Sequence, residues 1–420
     1  MRVLVVYFSL LFPISAFCQF DIYRPLEEHL CRSKPLKIRK VYNLGDSLTD
    51  TGNFQRYSSY LTGIDKNIDP KIEALYPGIV KWLPADIFLF GGLSSLPKKP
   101  YWKGRFSNGP VSSEIMAESI HLNSTSRQEF VNFAHGGSTT IGYGLYLWSF
   151  LTSWWSDVPE LATWLNLYHS LLNAKWMQVN LVRQTEVLLQ QHQRFNDDEV
   201  VIMSGGANDY LNEYWDPEFL VTTQYHLIKQ LLDAGVKILV WGTLPDVTET
   251  PCLKLSPNKK YLKKAIYRHN QLAAFYYLKL KKEYSDRLVL FMDNASIFQY
   301  LLKEARDRGM VLEKGCVPIS FTGCYDREVV DIRYSSDVKK CEYPSDFFFW
   351  DSAHLGDRAN LWVGALGCQL MTYLNFDTRC PVVEGFNPEA LLIRYFNESQ
   401  DPGVRILKRA LLTGKCPSAD

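Results

Sequence analysis

A serine hydroxyl is a poor nucleophile near neutral pH. It attacks an ester only when a base takes its proton, a carboxylate orients that base, and donors meet the charge that develops on the attacked oxygen. Four short segments of this chain carry groups of those kinds. Gly45-Asp46-Ser47-Leu48-Thr49-Asp50 sets a glycine, which lets the backbone turn sharply, two residues before a serine. A serine so placed lands at a helix start, where unpaired N–H groups gather. Asn132 is followed by Ala134-His135-Gly136-Gly137-Ser138, and the two adjacent glycines let a backbone N–H approach an oxyanion closely. Gly206-Ala207-Asn208-Asp209-Tyr210 offers a side-chain amide donor at Asn208. Near the far end of the chain Asp351 stands three residues before His354. A carboxylate at that spacing holds one ring nitrogen and leaves the other to take a proton from a hydroxyl. Each segment alone is as readily an ordinary turn, an N-cap or a chance pairing. His135 reads as a loop residue, because no acidic partner stands at useful spacing.

These groups must be carried by elements that end near one another. Strand-like runs occupy residues 38–44, 129–133, 199–203, 237–241 and 288–292, and stretches of helical periodicity cover 174–191, 221–232 and 260–281. Strands alternating with helices imply a parallel sheet wrapped on both faces, and in such sheets chemistry gathers in the loops beyond the carboxyl ends of the strands. Three of the four segments follow such runs. Residues 53–101, the stretch 143–176 with five of the eleven tryptophans, and the tail from about 375 exceed a minimal α/β unit. No repeat and no Ser/Gly-rich or Pro-rich linker divides the chain, so residues 19–420 read as one elaborated domain.

Lys plus Arg number 46 and Asp plus Glu 45, which removes the net field a nucleic-acid binder needs. Hydrophobic residues at 46% give ample core, and aromatics at 14% favour contact with lipid or sugar. Residues 1–18 read as a signal peptide: Arg2, a short apolar run broken by Pro13, and small residues at Ala16 and Cys18 before Gln19. Eight cysteines then remain, an even number that suits disulfides in an exported chain. No CxxC occurs, and no metal or other cofactor is expected.

In their order, GDSLTDTG at 45–52, GRFSNGPV at 104–111, GANDY at 206–210, LPD at 244–246, HNQL at 269–272 and FWDxxH at 349–354 resemble the blocks of the GDSL lipase/esterase group, the SGNH hydrolases. Within that group the likeness is to the secreted bacterial glycerophospholipid:cholesterol acyltransferases. It covers roughly residues 38–373, apart from the tryptophan-rich insertion. The resemblance implies a three-layer α/β/α, flavodoxin-like fold with a mostly parallel five-stranded sheet. It implies Ser47 as nucleophile, His354 as base and Asp351 as its orienting carboxylate. The implied oxyanion hole is the Ser47 N–H, the Gly137 N–H and the Asn208 side chain. The substrates it implies are phospholipids and lysophospholipids, with cholesterol as acyl acceptor and contact with a membrane surface but no transmembrane anchor. It also implies a Cys324–Cys341 disulfide bounding a charged loop, residues 325–340, which an activating protease would nick. One departure is Leu355, where the group usually has proline. A carbohydrate O-acetylesterase of the same fold and a non-catalytic lipid-binding protein are the alternatives.

Overall fold

The computed structural model describes residues 23–61, 67–68, 70–75, 97–142, 179–212, 214–321, 324–325, 330–331, 338–399, 404–405 and 407–408. The expected signal peptide, the tryptophan-rich insertion and most of the 325–340 loop lie outside them.

Runs of β-branched and large apolar residues build one sheet from β1 (Lys40–Gly45), β2 (Phe130–Asn132), β3 (Glu199–Ser204), β4 (Ile238–Gly242) and β5 (Leu288–Met292). The strand order is β2-β1-β3-β4-β5 and every pairing is parallel, so the sheet goes beyond the mostly parallel arrangement expected. Register sets Asn43 beside Asn132 and Gly45 beside Ser204. The carboxyl ends of β1 and β3 therefore finish at one level, with β2 ending two residues short of them, and the order reverses between β1 and β3, the place where open α/β sheets bind ligands.

The larger helices are α1 (Asn53–Leu61), α2 (Ser112–Ser119), α3 (Leu181–Gln191), α4 (Pro217–Asp233), α5 (Lys259–Glu283), α6 (Asn294–Asp307), α7 (Asp357–Tyr373) and α8 (Pro388–Glu398). Their starts are written in short polar side chains. Asn180, Asp216, Asp293 and Asn387 each accept a backbone N–H of the first turn of α3, α4, α6 and α8. No helix among the described residues is long and apolar enough to cross a membrane.

Strand residues alternate between two helical layers. On one face Tyr42, Leu44, Val201, Met203, Leu239 and Trp241 pack against α3, α4 and α5, and none is more than 1% exposed. On the other, under α2, α6, α7 and α8, Val200 and Ile238 are buried, whereas Ile202, Val240, Leu290 and Met292 are only partly so. There α7 is held by α2. A Cβ at Gly364 would fall 2.5 Å from Ile115, and one at Gly367 would fall 2.8 Å from the Met116 sulfur. Two spaces of about 180 and 120 Å³ remain between this helix pair and the sheet.

Three disulfides join described residues: Cys252–Cys324, Cys316–Cys341 and Cys368–Cys380; Cys31 is also disulfide-bonded. The expected Cys324–Cys341 bond does not form. The chain after β4 returns beside Cys324 and Tyr325, where the Tyr325 N–H donates to the Cys252 carbonyl and the α-carbons of Cys252 and Cys324 lie 4.6 Å apart. Cys341 instead donates its N–H to the carbonyl of Cys316, its partner.

Candidate active site

Beyond Gly45 the chain turns, and Gln184 fixes the turn from inside. Its carbonyl accepts the Gly45 N–H at 2.8 Å, and its amide donates to the Gly45 carbonyl and to the Ser138 hydroxyl. Ser47 thereby stands at the carboxyl end of the sheet, and its Oγ lies 2.7 Å from His354 Nε2 although 307 positions separate them. His354 Nδ1 meets Asp351 Oδ2 at 2.9 Å. Asp351 is wholly buried and accepts further N–H bonds from Ala353 and His354, so the carboxylate folds its own loop around the imidazole. A hydroxyl, an imidazole and a carboxylate in this line are the geometry that passing a proton from serine to histidine requires.

A fourth group completes the line. The Tyr101 hydroxyl donates to Asp351 Oδ2 at 2.8 Å. Burial, reinforced by the neighbouring carboxylate, pushes the Tyr101 phenol far above its usual range, so it stays protonated and remains a donor. Phe106 and Phe321 stand 4.9 Å from the His354 ring and shield it from water. Phe106 lies in the GRFSNGPV block, but nothing in the sequence links Tyr101 to a residue 250 positions away.

The donors expected for an oxyanion come from three separate segments. Neither the Ser47 N–H nor the Gly137 N–H has a protein acceptor among the described residues. The Asn208 amide donates one hydrogen to the Ser138 carbonyl at 2.9 Å and retains a second. Behind them Asp50 joins the two blocks. Its carboxylate accepts N–H bonds from Gly52, Asn53 and Phe54 at the start of α1, and from Gly136 of the glycine pair. Burial pushes Asp50 up to about 6 against the pull of these four donors. Asp46, also buried, is pushed up to about 6, with the Leu48 N–H and His354 opposing. Gly136 admits no side chain, since a Cβ there would sit 2.4 Å from the Phe106 ring. His135 is buried, and desolvation lowers it to about 3, so it stays neutral and packs against Phe54.

The DxxH loop is also tied by hydrogen bonds to cysteines that are themselves disulfide-linked. The Cys252 N–H donates to the Ser352 carbonyl, the Ser352 N–H to Ile319, and the Cys316 N–H to Phe349. Both site-proximal disulfides thus brace residues 349–354.

A flavodoxin-like sheet carrying serine, histidine and carboxylate at this edge defines a class. The GDSL-like lipase/acylhydrolase family profile matches residues 41–366, and the chain belongs to that family of esterases and lipases. Among its relatives, the secreted effector protein SseJ of Salmonella typhimurium is 27% identical over 211 residues, covering 50% of this chain and 43% of that protein. The phosphatidylcholine-sterol acyltransferase of Aeromonas hydrophila is 27% identical over 187 residues, covering 43% and 46%. The thermolabile hemolysin of Vibrio parahaemolyticus is 25% identical over 331 residues, covering 76% and 61%. The chain thus spans less than half the length of the first two.

Proposed function

We propose that the protein is an exported serine acyl hydrolase and acyltransferase that acts on glycerophospholipids through an acyl-Ser47 intermediate. The observation that carries this reading is the 2.7 Å approach of Ser47 Oγ to a His354 ring held by buried Asp351. His354 takes the hydroxyl proton as Ser47 attacks the ester carbonyl, and Asp351 stabilises the imidazolium. The Ser47 and Gly137 N–H groups and the Asn208 amide receive the oxyanion. Such donors matter greatly, since loss of one commonly costs about 100- to 1,000-fold in turnover. As the tetrahedral intermediate collapses, His354 returns the proton to the leaving alcohol, a lysophospholipid. Water then releases a fatty acid, or the hydroxyl of a sterol takes the acyl group.

Likeness to a phosphatidylcholine-sterol acyltransferase supports the lipid substrate and the sterol acceptor. The disulfides and the character of residues 1–18 support export to an oxidising compartment. A protease that nicked the chain between Cys324 and Cys341 would leave both ends anchored, each by a different bond. The test is product analysis on labelled phosphatidylcholine vesicles with and without cholesterol. Labelled fatty acid without cholesterol and labelled steryl ester with it are expected, and both should vanish in Ser47→Ala. Release of acetate from acetylated sugars with phospholipid untouched would replace this reading by a carbohydrate esterase.

A further inference from the structure

The two spaces on the looser face of the sheet adjoin. They share Val41, Ile202, Met292, Ile297 and Leu370 as walls. We propose that together they form the binding chamber for the fatty acyl chain of the substrate, entered beside Ser47 and running between the sheet and the α2–α7 pair. The inference rests on Ser47 being the nucleophile.

Position is the first argument. The larger compartment is lined at its upper end by Leu48 and Thr49, which follow Ser47, and by Ala353 and Leu355, which flank His354. Polarity is the second. The upper compartment has Asn43, Ser204, Asn294 and Asn360 on its wall and no charged residue among those described. The lower one is lined almost wholly by apolar side chains, and its one charged residue, Asp293, is engaged in capping α6. Walls that are mainly apolar in both compartments, with only neutral amides and hydroxyls as the polar groups of the upper one, suit a hydrocarbon tail. The Thr49 hydroxyl at the rim is buried without a hydrogen-bond partner among the described residues.

Length is the third argument. Ile38 walls the lower compartment and Thr49 the upper, and the strand from Lys40 to Gly45 between them alone spans about 17 Å at the usual rise, close to the reach of an extended long acyl chain. The larger space alone, at about 180 Å³, exceeds the ~150 Å³ apolar cavity that admits benzene. Over it α7 meets α2 closely at Gly364 and Gly367.

The test uses the full-length protein and a long-chain alkyl fluorophosphonate with a diazirine at its methyl end. Ser47 Oγ displaces fluoride, which fixes the head of the chain, and irradiation then marks whatever the tail touches. Peptide mapping is expected to find the tail on Leu370 and Met371 of α7, or on the Val240 and Leu290 stretches of β4 and β5. Attachment at Ser47 with the tail mapped to residues outside both compartments overturns the chamber and leaves the nucleophile standing. No attachment at Ser47 overturns both. As a second measure, Val240→Phe and Leu290→Phe each narrow the passage. The ratio of kcat/KM for palmitoyl over butyryl esters is expected to fall at least tenfold, and an unchanged ratio in variants with native circular dichroism overturns the proposal.

Discussion

The two faces of one sheet are finished to different standards. Against α3, α4 and α5 the strand residues Tyr42, Leu44, Val201, Met203, Leu239 and Trp241 are no more than 1% exposed, while under α2 and α7 Ile202, Val240 and Leu290 stand only partly covered beside open space. The second face also carries the polar Asn43 and Ser204 among its apolar strand residues. Each face is covered by a helix pair that meets closely, α4 with α5 on the first and α2 with α7, through glycine, on the second, and only beneath the second does space remain. The first face serves stability, and the second is free for a ligand.

The harshest test of that contrast is Trp241→Ala on the closed face, which should cost ~3–5 kcal/mol in urea unfolding, because a fully buried aromatic leaves a cavity its neighbours cannot fill. Its palmitoyl-to-butyryl ratio should hold; a shifted ratio would mean that both faces sense substrate.

A smaller effect is expected from acid. His269 on α5, partnered by the Tyr210 hydroxyl, is lowered to about 3 by burial. Below about 6.5 the unfolded chain binds a proton that the native one refuses, so this contribution is whole above that pH and is lost as pH falls, by ~2 kcal/mol at pH 5. Asp46 and Asp50, raised to about 6, oppose it, since below 6 the native state binds more protons than the unfolded one. The comparison is therefore made by difference. His269→Gln should reduce the stability lost between pH 7 and 5 by about that amount, and an identical loss would show that the closed face admits charge.

Tyr101→Phe touches neither face. It removes one of the donors to a buried carboxylate, and we expect kcat to fall about tenfold with KM unchanged, in line with bonds to charged groups. The loss should be the same for palmitoyl and butyryl esters, because Asp351 acts on the base and not on the acyl chain. A loss that depended on chain length would reduce Tyr101 to a packing role. The mildest change is Val240→Ala, worth ~1 kcal/mol or less because its side chain is already only partly covered. A cost as large as that of Trp241→Ala would mean that the two faces are packed alike.

Much of this was legible in the chain. β5 falls on residues 288–292 as read, because five apolar residues between polar turns leave little choice. The 38–44 run begins its ladder two residues later, at Lys40, since Arg39 bonds back to Asp198 before pairing starts. The 174–191 stretch is helical in the described residues only from Leu181, where Asn180 caps it, a signal present in the sequence and passed over. Ser47, Asp351 and His354 were legible because block order carries more information than any one block. The disulfide pairing was not: Cys324 joins a residue 72 positions upstream, brought near only by the path of the chain after β4. Tyr101 and Gln184 escaped for the same reason, since their partners exist only once the sheet has formed.

Asp50 gives the site a mechanical property. By taking N–H groups from α1 and from Gly136 at once, one carboxylate joins the serine turn to the loop that carries Gly137. Gln184 adds a second tie, from Gly45 to Ser138. Two parts clamped in this way drift together, so thermal displacement of the turn is common to attacker and receiver and cancels in the distance between them. The enzyme then needs no rigid surroundings to hold that distance, and the helices beside it are free to breathe.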